Sequence, residues 1–140
     1  MSLLERAIEI ALESHHGQTD RYGSPYILHP LLVMMHMDND NEMMAAVLHD
    51  VLEDSNLTLE FLRDQGFPAE VLEAVRLLTH DAETFSYSEY VRRLKLNPIA
   101  AKVKLADLKH NMDIRRMDHV EEKDAIRLEK YRRAWETLAR

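Results

Sequence analysis

The sequence predicts an all-α bundle. Three observations carry that expectation: only 3 Gly and 4 Pro occur in 140 residues, apolar side chains recur at helical spacing almost throughout, and no stretch alternates as a strand would. Ser2 with Glu5 forms the pattern of a capping box and opens a first helix striped by Leu4, Ile8, Ala11 and Leu12, ending at Gly17. GQTDRYGSPYILHP follows as the one sustained loop, because two glycines and two prolines oppose a continuous helix. A short helix runs from Pro30 through Met37, DNDN punctuates it, and the next helix carries AAVLHDVLED. Thr58 caps a short helix ending at Gly66, Pro68 suits the first turn of its successor, and Ser86 with Glu89 suggests another capping box. Asn97-Pro98 starts a long helix expected to reach Arg115. Asp118 with Glu121 caps the last one, striped by Leu128, Tyr131, Trp135 and Leu138, with acids early and basic residues late as the helix dipole favours. No repeat or linker interrupts the chain, so residues 1–140 are expected to form a single domain.

Composition narrows the function classes. Apolar residues are 46% and charged residues 31%, a globular balance, and no apolar run approaches the roughly 20 residues that cross a bilayer. The start, MSLLERAIEI, lacks a basic n-region and a cleavage site, which leads to a cytoplasmic expectation. Cysteine is absent, so any metal must be held by His and carboxylate. Eighteen basic against 25 acidic residues give a net charge of −7, which opposes DNA or RNA as a partner but leaves a small nucleotide open. The methionines at 34, 35, 37, 43 and 44 are expected as core filler, with a homo-oligomer contact as the second choice.

The chemistry concentrates in AAVLHDVLED. On an ideal helix His49, Asp50, Glu53 and Asp54 share a face roughly 140° wide, and the rest of that helix is apolar. It therefore has no ordinary solvent face, and its acids point into the protein or a cleft. Three clustered carboxylates must take protons, stay wet or find a cation, and no Lys or Arg of that helix can supply one. A divalent ion solves the problem with the ligand types present. Asp107, on an apolar stripe with Asn111 one turn on, and His29, in the loop before Pro30, are candidate further ligands. Taken singly, such a residue is more often a hydrogen-bonded core residue than a ligand. His15 and His16 are expected to be structural, and His36, His80 and His119 have no acidic pattern around them.

HHGQ, GSPYILHP, AAVLHDVLEDSNLT and VKLADLKHNM, in that order, resemble the segments of the HD-domain metal-dependent phosphohydrolases, and within them the alarmone hydrolase domain of Rel/Spo-type proteins and their small relatives. The likeness spans roughly residues 7 to 116. It implies an HD-domain helical bundle in which His29, His49, Asp50 and Asp107 hold one divalent ion, usually Mn2+. It implies that Glu53 and Asp54 position and activate water, and that Asn111 helps hold substrate. It also implies hydrolysis of the 3′-pyrophosphate of guanosine tetra- or pentaphosphate, without alarmone synthesis. Arg21 and Lys104 are candidate substrate contacts, and Lys109, Arg92 and Arg115 weaker ones. The pattern is departed from twice. Asp20 stands where the family often has Arg, at a base-contacting place, with Arg21 after it, and Asp113-Ile114 replaces Arg-Thr after HNM. Another nucleotide or phosphate ester therefore stays open as the substrate, as do a non-catalytic nucleotide-binding module and, more remotely, a purely structural helical protein.

Overall fold

A computed structural model describes residues 1–140 as nine α-helices, a 3-10 turn and no strand, so the all-α expectation holds. The helices are α1 Leu3–Ser14, α2 Leu28–Met35, α3 Asp40–Leu48, α4 Val51–Asp54, α5 Leu59–Asp64, α6 Ala69–Leu78, α7 Tyr87–Leu94, α8 Pro98–Asn111 and α9 Glu122–Ala139. Capping chemistry fixes most starts. Ser2 and Glu5 make the expected reciprocal box, Thr58 accepts from the Phe61 N–H, and Asn97 accepts from the Ala100 N–H ahead of Pro98. Ser86 accepts from the Glu89 N–H, which is one half of the box expected there. The last helix starts later than expected: Glu121 is its N-cap and boxes with Asp124, so Asp118 lies outside it.

Helix α3 is central. It packs against α1, α2, α6 and α8, and Met44 to Leu48 are all buried, as a helix without a polar face requires. Helices α8 and α9 lie together, and α7 packs on α9. The stripe of α9 that reaches the core is Ala134 and Leu138, with Tyr131 partly buried, whereas Trp135 sits at the edge. Met34, Met37 and Met44 fill the core as expected, but Met35 points outward, 68% exposed. No helix is long and apolar enough to cross a membrane.

Three departures from the expected element bounds bear on function. The long helix stops at Asn111 rather than Arg115, because the Asp113 side chain accepts from the Arg115 N–H and starts the 3-10 turn Ile114–Arg116. Helix α2 begins at Leu28, ahead of Pro30, so His29 is helical and its direction is fixed by the first turn. AAVLHDVLED is not one continuous helix but α3 and α4, broken at His49-Asp50. The Ala46 carbonyl takes the His49 backbone N–H at 3.3 Å and its Nδ1–H at 2.5 Å, in place of the N–H of Asp50. A side chain competing for that carbonyl shifts the axis and re-aims the acids that follow.

Candidate metal centre

His29 from α2, His49 and Asp50 from the α3–α4 break, and Asp107 from α8 converge on one point. Ligand atoms of His29, His49 and Asp50 lie within 4.8 Å of one another, a group able to hold a metal ion. Asp107 joins through Oδ1, 2.7 Å from His29 Nε2 and 3.5 Å from His49 Nε2. Asp50 Oδ2 lies 3.0 Å from His49 Nε2 and 3.9 Å from His29 Nε2. His29, His49 and Asp107 are buried, at 5%, 3% and 4% exposure, so these polar side chains are held out of bulk water.

The hydrogen bonds behind these side chains decide which atoms face the centre. His49 gives its Nδ1–H to the Ala46 carbonyl, so Nε2 turns to the centre, where it is buried beside Asp50 Oδ2 and Asp107 Oδ1 with neither in hydrogen-bond alignment. His29 Nδ1 lies 2.7 Å from His110 Nδ1. Burial first, then the neighbouring His29, pulls the His110 pKa down to about 4, so His110 is neutral near pH 7 and able to accept from a His29 whose Nε2 is given to a metal. His29 Nε2 faces the centre as well, 2.7 Å from Asp107 Oδ1. Tyr26 donates its hydroxyl to Asp50 Oδ2 at 2.6 Å, and Asn111 Nδ2 donates to Asp107 Oδ1 at 3.1 Å. Two imidazole nitrogens and two carboxylates, each fixed from behind, are the donor set and the support that a hard or borderline divalent ion needs. The buried Nε2 of His49, beside two carboxylate oxygens yet aligned for a hydrogen bond with neither, is the observation that the set fits a metal.

Lys104 is paired with one of these side chains. Its ammonium is 2.9 Å from Asp107 Oδ2, with the lysine side chain only 13% exposed, on the oxygen that does not face the histidines. It backs a candidate ligand and is engaged there, rather than standing free for a substrate phosphate. Burial works against its charge, but Asp107 and then the tyrosines beside it prevail and hold its pKa well above the usual value. Arg115 is paired with Asp113 and lies 87% exposed, and Arg92 is an exposed partner of Glu89, so neither approaches the centre. Lys109 lines a different cavity, with Leu32 and His36.

Glu53 and Asp54 follow the centre on α4. Glu53 Oε1 accepts from the His80 N–H at 2.5 Å, and Asp54 lies 3.9 Å from His15 Nδ1. Both carboxyls are pushed above their ordinary values, by burial first; for Asp54 the charge of Asp50 comes next. A carboxyl held above its unfolded value binds its proton better in the folded chain. Its ionisation therefore costs stability at pH above that raised value, and costs nothing below the unfolded value. Asp54→Asn is expected to raise the melting temperature of metal-free protein by about 1–3 °C at pH 7, an increment kept small by solvent screening, and to leave it unchanged at pH 3. Parallel calorimetric scans at the two pH values check this.

Beside the centre, Tyr26, His29 and Asn111 form the inner wall of a cavity of about 340 Å³ whose outer wall includes Arg21, Tyr22, Arg116 and Arg127. Arg21 is one of the residues lining this cavity. Arg116, which the sequence did not single out, is held by Asp20 at 3.1 Å and by the His110 carbonyl at 3.0 Å, over the Tyr22 ring. Asp20 itself also accepts the Tyr22 and Ser24 N–H groups at 2.9 and 3.0 Å. The residue that departs from the family pattern therefore shapes the loop and anchors an arginine from 96 residues away.

No family model matches the chain. Curated proteins do. It is 34% identical over 123 residues to the bifunctional (p)ppGpp synthase/hydrolase SpoT of Escherichia coli, covering 78% of this chain and 17% of that one. It is 32% identical over 117 residues to a guanosine-3′,5′-bis(diphosphate) 3′-pyrophosphohydrolase of Haemophilus influenzae, covering 74% and 17%. The chain thus spans about one sixth of the length of the curated relatives it matches. A solved metazoan orthologue of SpoT, which hydrolyses ppGpp, superposes with a TM-score of 0.77 at 23% identity, over 99% of this chain and 86% of that one. By these likenesses the chain is similar in sequence to one segment of the SpoT/Rel proteins and shares the all-helical fold of the solved orthologue.

Proposed function

We propose that the protein is a metal-dependent phosphohydrolase that removes the 3′-pyrophosphate of guanosine tetraphosphate or a closely related nucleotide. The observation that carries this is the meeting of His29, His49, Asp50 and Asp107 with two high-pKa acids on the adjoining α4. Activities borne by the relatives supply the substrate class. A divalent ion, Mn2+ by family resemblance, would be held by the four side chains and would lower the pKa of its water and offset charge on phosphorus. Asp54 or Glu53 accepts a proton as the water oxygen bonds to phosphorus. The bond from phosphorus to the 3′-oxygen breaks, that oxygen takes up a proton, and pyrophosphate leaves. Asn111 orients the phosphate end, and the cavity edged by Arg21, Arg116 and Arg127 receives the rest of the nucleotide.

Purified protein with Mn2+ is expected to release pyrophosphate from guanosine tetraphosphate, read by a coupled phosphate assay, with Arg116→Ala raising KM by about tenfold and leaving kcat within about twofold. Calorimetric binding of the nucleotide without turnover would replace the enzyme with a sensor module. One observation favours a variant substrate: Asp20 and Arg116 pair at the place where the family contacts the base. A panel of nucleotides and phosphate esters assayed with Mn2+ ranks them directly.

A further inference from the structure

HHGQ remains without a task in the reaction, yet it makes contacts that a structural filler does not need. Helix α4 has only four residues, and the break at His49-Asp50 frees it from the direction of α3. Something outside the helix must aim its acids. Gln18 does so from the turn after α1: its Nε2 donates to the Asp54 carbonyl at 3.1 Å and to the Ser14 carbonyl at 3.1 Å. Two carbonyl acceptors fix the amide orientation, so Gln18 Oε1 must accept, and it does so from His15 Nδ1 at 3.0 Å. Gly17, at φ +79, supplies the left-handed backbone that turns Gln18 back toward α4.

His15 is fully enclosed, with 0% of its side chain exposed, and its Nδ1 edge lies 3.9 Å from Asp54 Oδ2. Its ring packs 4.9 Å from that of Tyr26, whose hydroxyl holds Asp50. Its Nε2 is buried with no partner, a desolvation cost that a hydrophobic side chain at this position would avoid. The buried imidazole is thus expensive as core and useful only for what its Nδ1 edge does.

We infer that His15 and Gln18 are positioning residues for Asp54, fixing its backbone through the Gln18 amide and its carboxylate against the His15 edge, so that it faces the water to be activated. The inference rests on the proposed hydrolysis, and neither residue belongs to the candidate ligand group or lines the adjoining cavity. Gln18→Ala is expected to lower kcat at least tenfold while KM for guanosine tetraphosphate and bound Mn2+ per chain stay within about twofold of wild type. Deuterium exchange at residues 51–55 is expected to rise several-fold in the same variant, with or without Mn2+. His15→Asn, which keeps a donor where Nδ1 stands, is expected to retain most of the rate, whereas His15→Gln is expected to lose it. The inference is overturned if Gln18→Ala keeps its kcat, if it sheds Mn2+ in step with the rate, or if exchange at 51–55 is unchanged. A wild-type protein that hydrolyses no nucleotide but shows the Gln18-dependent exchange leaves the positioning contact standing and removes the hydrolase reading instead.

Discussion

Asp50→Ala is expected to strip the protein of its divalent ion and, with it, lower turnover by more than about 100-fold. Loss of a supporting partner alone reaches roughly 10–100-fold in metal affinity or activity, and Asp50 is a candidate ligand itself. Asp50 is also where two supports meet, since its Oδ2 accepts the Tyr26 hydroxyl at 2.6 Å and lies 3.0 Å from His49 Nε2. Although burial alone would raise its pKa, the adjoining His49 holds it down to about 2, so the carboxylate is ionised at any pH of interest. Removing it leaves three donors and one negative charge fewer.

The measurement needs no turnover. Mn2+ at 100 times its dissociation constant adds about 2.7 kcal/mol to wild-type stability, visible as a rise in melting temperature. Asp50→Ala is expected to show no such rise and no bound Mn2+ by elemental analysis. Asp81→Asn, in an exposed turn between α6 and α7, is expected to behave as wild type. A full Mn2+-dependent rise in Asp50→Ala would remove Asp50 from the ligand set.

How far the sequence foretold this centre depends on range. That α3 would be central was legible, because Met44 to Leu48 leave no polar face. That His49 and Asp50 would sit in an acidic cluster without a basic residue of their own helix was legible within one turn. Their meeting with His29 and Asp107 was reached by resemblance, since it depends on how α2, α3 and α8 pack and on no local spacing. The break between α3 and α4 was hidden because it comes from a side chain taking a backbone carbonyl, which periodicity does not encode. Asp20 with Arg116 was hidden for a plainer reason: they are 96 residues apart. His110 and Lys104 were within reach, each three residues from Asp107 on the same helix face, a spacing at which side chains touch. Met35 was misplaced because a run of methionines says nothing about which one turns outward.

Lys104 supplies the second large effect. Lys104→Met is expected to destabilise metal-free protein by about 2–3 kcal/mol, somewhat less than the roughly 3–5 kcal/mol typical of orphaning one member of a buried ion pair. The reduction follows from the partners Asp107 keeps: His29 at 2.7 Å, His49 at 3.5 Å and Asn111 at 3.1 Å. Methionine fills much the same volume between the Tyr87 and Tyr90 rings, so charge rather than packing is what changes. Saturating Mn2+ then supplies a cation on the other oxygen of the same carboxylate. The deficit of Lys104→Met is therefore expected to shrink by half or more when the metal is bound, and by linkage the variant binds Mn2+ more tightly than wild type. Melting curves of both proteins, with and without Mn2+, measure all four corners of that cycle. An equal deficit in the two conditions would mean that the ammonium and the ion do not share Asp107, and that the four side chains do not close on a common metal.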